Sequence, residues 1–228
     1  MNAPAAPRGR KAEHSHATQQ RLIEVARRLF ASRGYAATAT EDVVAAARVT
    51  RGALYHHYAD KRALFLAVSE VVARDLDEAI VLAAASAGDP WAMMRAGARA
   101  FLEACRNPEF RRIVLIDGPS VLGSEEWRRL NGRYAFTTVR TALEATMAVG
   151  DLPEQPLDPL THLFVGSLYE AGHIVADSAE PEATIETFVR TLDGVMDAQR
   201  ERARRARAEP TRAEHASGAP RAARRKAR

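Results

Sequence analysis

The stretch that decides the fold is residues 34–64, which read GYAATATEDVVAAARVTRGALYHHYADKRAL. Two short segments with helical apolar spacing flank a tight turn at residues 46–50. The second predicted helix, residues 50–58, opens with Thr50 and Arg51 and continues into aromatic and imidazole side chains. Two short helices around such a turn resemble a helix-turn-helix, whose second helix can lie in the major groove of DNA. The stretch therefore predicts a nucleic-acid-binding unit.

The second of these helices offers suitable chemistry for DNA. Arg51 can donate two hydrogen bonds to a guanine edge or bind a phosphate. Small residues at its start let the backbone approach the DNA closely, and three larger ones can donate to phosphates or contact bases. The small residues are Gly52 and Ala53, and the larger ones are Tyr55, His56 and His57.

Length and composition limit the other possibilities. The chain has 228 residues, 46% of them hydrophobic, which is enough for one or two globular domains with a core. Its single cysteine, Cys105, excludes an internal disulfide and favours a cytoplasmic protein. No run approaches the roughly 18 apolar residues of a membrane span, and residues 1–10 lack a secretory apolar run. We therefore expect neither export nor membrane insertion.

Charge is distributed unevenly along the chain, although the total is only +4. Residues 1–62 contain 11 Lys/Arg and 5 Asp/Glu, a net +6. Residues 63–199 contain 11 and 21, a net −10, and residues 200–228 contain 11 and 3, a net +8. Basic ends on an acidic middle indicate a nucleic-acid contact made by one part of the chain.

The apolar periodicity is helical almost throughout, so we predict an all-α protein of about nine helices. Residues 38–41 match a capping box at the start of the second helix, and residues 117–119 (Asp-Gly-Pro) predict a helix end. Four later helices are predicted to start where a capping residue precedes proline: Asp89-Pro90, Asn107-Pro108, Asp158-Pro159 and Glu180-Pro181.

These patterns divide the chain into four predicted parts. Residues 1–15 are a flexible basic arm, and residues 16–76 are the helix-turn-helix domain. Residues 77–207 are a helical effector-binding and dimerisation domain. Residues 208–228, rich in Arg, Ala, Pro and Glu, are predicted to be a disordered basic tail because they cannot bury enough apolar surface.

Three motifs resemble the DNA-binding domain of the tetracycline-repressor (TetR) family of bacterial transcription factors. They are A-x-x-L-F-x-x-x-G-Y at residues 26–35, Thr38-x-Thr40, and V-T-R-G-A-L-Y-H-H-Y-x-D-K-R-A-L-F at residues 49–65. The resemblance implies a homodimer whose larger helical domain binds a small molecule and dimerises through its last two helices. It also implies that Thr40 and Lys61 hold phosphates.

The chain departs from that family pattern twice. Arg48 stands where the turn usually has glycine, and Ala39 stands where the second helix usually begins with Ser or Thr. A left-handed residue with a Cβ costs about 1 kcal/mol relative to glycine, so Arg48 is tolerable there and adds a cation. The predicted DNA-binding residues are Thr40, Arg48, Thr50, Arg51, Gly52, Ala53, Tyr55, His56, His57 and Lys61.

Polar or aromatic residues on apolar helix faces are candidates for a ligand pocket, the alternative for each being a packed or capped residue. The predicted pocket residues are Trp91, Phe101, Asp117, Trp127, Tyr134, Phe164, Tyr169, Glu170 and His173. Small residues on one late helix and an apolar stripe on the next favour a dimer seam, the alternative being an intramolecular core. The predicted seam residues are Gly166, Gly172, Ile185, Phe188, Leu192 and Met196.

The sequence predicts a DNA-binding regulator that a small molecule releases from a pseudo-palindromic operator. A nonspecific architectural DNA-binding protein that uses its basic arm and tail is the alternative. A helical-bundle enzyme is a third possibility, but no catalytic motif is present, so we predict no enzymatic activity and no cofactor. No metal site is predicted either, since adjacent His56 and His57 point about 100° apart on a helix.

Overall fold

The computed structural model describes residues 8–208, and every regular element in that range is helical. The all-α prediction is therefore confirmed. The elements are α1 (Arg8–Arg33), α2 (Thr40–Ala47), α3 (Arg51–His57), α4 (Lys61–Ala85), α5 (Pro90–Ala104), α6 (Pro108–Phe110), a π-helical segment (Arg111–Asp117), α7 (Gly118–Asn131), a second π-helical segment (Gly132–Phe136), α8 (Thr137–Ala148), α9 (Leu157–Asp177) and α10 (Pro181–Ala208).

Helices α1 to α3 form a three-helix unit that closes over the start of α4. Its core is aromatic and aliphatic: Phe30, Leu54 and Phe65 are fully buried, and the rings of Phe30 and Phe65 meet edge to face at 5.2 Å. The buried residues continue through α4 into α5, α6 and the first π-helical segment. The three-helix unit is thus packed directly on the helices that follow, which we call the body (α5 to α10).

Side-chain caps fix the starts of α5 and α6 where the sequence predicted them. The Asp89 carboxylate accepts from two first-turn amides of α5 at 2.9 Å, and the Asn107 carbonyl accepts from the Glu109 amide at 2.8 Å. Helix α10 begins at Pro181 as expected. Each cap supplies an acceptor to a backbone amide that has no partner within its own helix.

Two predicted starts are wrong in detail. Thr38 does not cap α2, because it is fully buried and its hydroxyl donates to the Gly34 carbonyl at 2.8 Å. Ala39 is the N-cap residue instead, and its amide donates to Asp42 at 3.4 Å. Helix α9 begins at Leu157, which leaves Asp158 inside the first turn.

The helix end predicted at residues 117–119 is also wrong. The chain continues from the first π-helical segment directly into α7, and the break comes at Gly123, with φ 78° and ψ 167°. Pro119 lies in the first turn of α7, directly after the π-helical segment. Only glycine adopts the Gly123 conformation readily, so this residue sets the break.

Part of the predicted basic arm is helical. Helix α1 begins at Arg8, and Thr18, inside it, donates its hydroxyl to the His14 carbonyl at 2.9 Å. Arg, Lys, Ala and Glu favour helix without apolar periodicity, so the helix extends beyond its apolar stripe. Residues 1–7 of the arm lie outside the described range, as do residues 209–228 of the predicted tail.

Within residues 8–208, no helix is both long enough and apolar enough to cross a bilayer.

Candidate nucleic-acid interface and cavity

Helix α3 presents one exposed face. Arg51, Gly52, Tyr55 and His56 are exposed on it, whereas Leu54 on the opposite side is fully buried against the core of the three-helix unit. Thr50 fixes the start of the helix, since its hydroxyl accepts from the Ala53 amide at 3.1 Å. The structure therefore brings these predicted DNA-binding residues together on one accessible surface.

Arg51 is oriented but not buried. Its guanidinium lies 5.5 Å from the centre of the Tyr55 ring and 3.5 Å from a Glu41 carboxylate oxygen, while 70% of the side chain is exposed. Hydrogen bonds from its own backbone amide and from the Thr40 hydroxyl lower the pKa of the Glu41 carboxyl. An exposed ion pair of this kind contributes little stability, so Arg51 can exchange it for a base edge or a phosphate.

Gly52 is open to the outside. A Cβ built on this residue would meet only the Thr50 hydroxyl, at 3.9 Å, which is an ordinary van der Waals contact. Its φ is not positive, so neither packing nor backbone conformation requires glycine here. The space that glycine leaves is on the solvent side of α3, where a DNA backbone or base would lie.

Arg48 forms the turn in the left-handed conformation, with φ 54° and ψ 45°. It is the only residue other than glycine with a positive φ among those described. Its amide donates to the Ala45 carbonyl at 3.2 Å, and the Val49 amide donates to the Val44 carbonyl at 3.2 Å. These two bonds end α2 in the usual left-handed manner, and the Arg48 side chain is exposed beside α3.

Two predicted phosphate ligands have partners within the protein. The Lys61 ammonium donates to the Tyr35 carbonyl at 2.9 Å and to the Thr38 carbonyl at 3.0 Å. It also lies 4.1 Å from the centre of the Tyr35 ring, so it fastens the α1–α2 connection to α4. Thr40 donates its hydroxyl to Glu41. Contact of either residue with phosphate stays a prediction, as it does for half-buried Ala53 and His57.

Asp117 joins the three-helix unit to the body instead of lining a pocket. It is 8% exposed, and its carboxylate accepts from the Tyr35 amide at 2.7 Å and from Arg112 at 3.3 Å. The Arg112 guanidinium in turn packs on Gly34, where an added Cβ would clash with it. No sequence signal paired residues that lie 82 positions apart, so this contact could not be predicted.

Two arginines make further contacts that join α1 and α4 to the body. Arg27 of α1 binds Asp75 and Glu109, each at 2.6 Å. Arg62 of α4 donates to the Leu122 carbonyl at 2.6 Å and to the Val121 carbonyl at 3.3 Å. The position of the three-helix unit on the body is therefore fixed by hydrogen-bonded and charged groups in addition to apolar packing.

A cavity of about 350 Å³, partly open to solvent, lies between α4 and the body helices α5, α8 and α9. Phe101, Phe164 and Tyr169, all predicted pocket residues, line it. Predicted seam residue Leu192 lines it too. The prediction missed Asp77 on α4 and the methionines of α5, because a sequence does not reveal which side of a buried helix borders empty space.

The other predicted pocket residues lie elsewhere. Trp91 is buried beneath the Arg200 guanidinium, 5.6 Å from the ring centre. Trp127 packs against Gly118, and half-buried Tyr134 packs against the core. Glu170 and His173 are exposed on the outer face of α9. Neither residue lines the cavity, so their contact with a ligand stays a prediction.

Most of the predicted seam residues lie inside the protomer. Ile185 and Met196 are fully buried, and Phe188 packs against the core. A Cβ at Gly172 would lie 2.8 Å from the Cys105 sulfur, so this glycine packs against α5. Gly166 alone is open. The apolar stripe of α10 thus forms the intramolecular core that the sequence left open as the alternative.

Two buried titratable groups are held neutral. Burial raises the pKa of the Cys105 thiol to about 12 and raises that of the Tyr169 hydroxyl as well. Cys105 is fully buried and its pKa is the opposite of what a nucleophilic thiolate needs. This residue therefore acts as a small apolar packing group.

An exposed recognition helix on a three-helix unit, joined to a helical body with an internal cavity, defines a helix-turn-helix DNA-binding regulator. Comparison with known proteins gives the family. Residues 22–68 match the family model for bacterial regulatory proteins of the tetR family, and residues 91–199 match the tetracyclin repressor-like C-terminal domain.

Individual relatives agree. A TetR-family transcriptional regulator from Pectobacterium atrosepticum has a crystal structure that superposes with a TM-score of 0.70 at 33% identity, covering 82% of this chain and 96% of that one. The regulator AcrR of Shigella flexneri is 33% identical over 104 residues, which span 45% of this chain and about half (48%) of AcrR. The repressor AcnR of Corynebacterium efficiens is 36% identical over 63 residues, 28% of this chain and 34% of AcnR. The chain belongs to the TetR family of transcriptional regulators.

Proposed function

We propose that this protein is a ligand-responsive repressor, which binds a pseudo-palindromic operator as a homodimer and is released by a small molecule in the cavity. The observation that supports this most directly is the double role of α4. Asp77, Ile80 and Val81 of this helix line the cavity, while at its start Lys61 holds the α1–α2 connection and Arg62 holds α7. A ligand in the cavity that displaces α4 would therefore also move the three-helix unit, and with it α3.

Ligand release requires a difference in affinity between two states. Tight binding of the ligand to both conformations would shift nothing, however strong it is. The ligand must favour the arrangement in which the two α3 helices no longer fit successive major grooves.

The dimer seam is proposed to lie on the outer faces of α9 and α10. Leu163 (71% exposed), Ile174 (45%) and Val195 (50%) are apolar there, and a Cβ at Gly166 or Gly194 would meet nothing within 4 Å. Small residues between exposed apolar ones permit close helix packing. A second copy on this face would also cover Glu170 and His173, and its two-fold symmetry would match a palindromic operator.

Gel shifts with the DNA flanking the protein's own gene test the proposal. Specific retardation of one fragment that is lost on adding a small molecule is the expected result. Failure to retard any flanking fragment at moderate salt would contradict it.

The architectural alternative gains no support from the relatives above, which are regulators. Deleting residues 208–228 separates the two functions. An architectural protein would lose most of its DNA affinity, whereas a repressor would keep its operator preference and lose salt-sensitive background binding. A protein that acts on operator DNA would work in the cytoplasm.

A further inference from the structure

The cavity is lined almost wholly by apolar side chains. Aliphatic and methionine side chains of α4, α5 and α8 make up most of its wall, and Phe101, Phe164 and Tyr169 add aromatic rings. Its polar side chains are Asp77, Tyr169 and three threonines of α8. In the part of the chain that the structure describes, no Lys, Arg or His lines the cavity.

Asp77 is the one ionisable carboxylate on this wall, and it has a hydroxyl for a partner instead of a cation. The Thr138 hydroxyl donates to its Oδ1 at 2.6 Å. Between residues 8 and 208, no basic side chain forms an ion pair with Asp77. The neighbouring carboxylates do have basic partners: Asp75 binds Arg27 at 2.6 Å and Glu78 binds Arg74 at 3.7 Å.

A half-buried carboxylate beside an apolar space has a specific electrostatic preference. Removing a charge from water is costly unless an opposite charge or a donor compensates for it. A cationic N–H gives the strongest such hydrogen bond, and aromatic faces nearby stabilise a cation further. A carboxylate ligand would place a second negative charge near Asp77, with no basic side chain on the wall to offset it.

We propose that the cavity takes a lipophilic amine, bound in its protonated form with the ammonium group at Asp77 and the hydrocarbon part against the apolar wall. This assignment rests on the proposed function, since it names the chemical class of the releasing ligand. Asp77 selects the charge of the ligand, and the volume of about 350 Å³ limits its size.

Three compounds of one shape test the assignment: 4-phenylbutylamine, 4-phenylbutan-1-ol and 4-phenylbutanoic acid. Their dissociation constants for the full-length protein are measured by isothermal titration calorimetry at pH 7, without DNA. We expect the amine to bind about tenfold more tightly than the alcohol and the alcohol more tightly than the acid, since charge-assisted hydrogen bonds are about twice as strong as neutral ones.

Two isosteric variants show whether Asp77 is responsible. Asp77→Asn keeps an acceptor for Thr138 and should bring the amine within about twofold of the alcohol, since a neutral acceptor gives no charge assistance. Glu78→Gln removes the same charge from the exposed neighbour and should keep the wild-type ranking. Circular dichroism of both variants verifies that they are folded.

Three results would overturn the assignment: acid binding as tight as amine binding, an unchanged ranking in Asp77→Asn, or no heat with any compound up to about 1 mM, the weak limit of specific binding. Gel shifts without ligand test the proposed function separately. If the protein still binds its operator without ligand while one of these three results is obtained, the amine assignment is wrong and the proposed repressor function stands.

Discussion

Gly52 lies on the exposed face of α3 without any internal reason to be glycine. Gly52→Ala should therefore raise the free energy of unfolding by about 0.5–1 kcal/mol, because alanine favours helix. Operator affinity should nevertheless fall at least tenfold, because the added methyl occupies space that DNA needs. Urea denaturation and fluorescence anisotropy with operator DNA measure the two effects.

Gly132→Ala provides the matched control, because a Cβ at Gly132 of the body likewise meets no close neighbour, with nothing within 4 Å. It should leave operator affinity unchanged. Unchanged DNA binding in Gly52→Ala would show that α3 does not approach DNA closely at this residue.

Arg51 has an exposed guanidinium beside Tyr55, so its removal should affect DNA binding far more than folding. Arg51→Ala is expected to cost about 1–3 kcal/mol of operator binding. If Arg51 binds a guanine, the loss will be confined to the operator, and if it binds a phosphate, all sequences will weaken alike. Anisotropy titrations with operator and scrambled DNA at one salt concentration separate these cases, with Arg74→Ala of α4 as a control.

Because Cys105 is buried, the free energy of unfolding should fall as the pH rises into the alkaline range. Its folded-state pKa of about 12 lies above the ordinary 9.0, so the unfolded chain ionises first as pH rises. The stabilisation is fully present below pH 9 and is lost progressively between 9 and 12. Urea denaturation at pH 8 and pH 10 should show a smaller decrease for Cys105→Ala than for the wild type.

The same thiol should be unreactive in the native protein. Labelling by a thiol reagent at pH 8 should be slow until denaturant is added, because the side chain is fully buried. Rapid labelling without denaturant would mean that α5 and α9 open readily.

Local residue roles were predictable where chemistry and spacing coincide. The helix predicted to open at Thr50 does so, with the Thr50 side chain as its cap. Lys61 was predicted as a phosphate ligand, but its contacts with the Tyr35 and Thr38 carbonyls depend on tertiary structure. Local sequence patterns therefore predict helix caps well, but they do not predict contacts between residues that are distant in sequence.

At the level of the helix-turn-helix element, the left-handed backbone of Arg48 strains the α2–α3 turn, and a substitution can relieve that strain. Arg48→Gly should raise the free energy of unfolding by about 1 kcal/mol, because glycine adopts the left-handed conformation without a Cβ clash. Arg48→Ala is the control: it removes the same cation but retains the Cβ, so no such gain is expected. Chemical denaturation compares the three proteins.

DNA affinity of the same two variants isolates the Arg48 cation. Equal weakening in Arg48→Gly and Arg48→Ala would assign the loss to the charge. No weakening in either would remove Arg48 from the interface.

Helix boundaries show where sequence patterns suffice. Asn107-Pro108 was identified correctly, because a capping side chain and proline both act locally. Residues 117–119 were misjudged, because the same Asp-Gly-Pro pattern can end one helix or form the first turn of the next.

For the whole molecule, the oligomeric state depends on the outer faces of α9 and α10. Leu163→Glu should convert the dimer to a monomer, because it places a charge in the centre of the proposed seam. Analytical ultracentrifugation measures the change. Leu82→Glu on α4 alters an even more exposed leucine (76%) outside the seam and should remain dimeric.

A Leu163→Glu protein that stays dimeric would place the seam elsewhere. A monomer should also lose operator affinity, because two half-sites would no longer be bound by one particle.

The body was predictable in class but not in detail. Helical periodicity gave its helices, yet Ile185 and Met196 face inward while Leu163 and Val195 face outward. An apolar stripe fills a core or a subunit interface equally well, and the choice depends on neighbouring helices that are distant in sequence. The cavity could not be predicted for the same reason, since the empty space depends on how several helices pack and not on any one segment.

Arg62 binds main-chain carbonyls of residues 121 and 122, not their side chains. Those two positions can therefore change for packing without loss of the contact. A chimera that joins this three-helix unit and α4 to the body of another family member would retain the contact wherever the acceptor helix is broken at the same place. Domain exchange between relatives is thus constrained by the position of a helix break, more than by sequence identity around it.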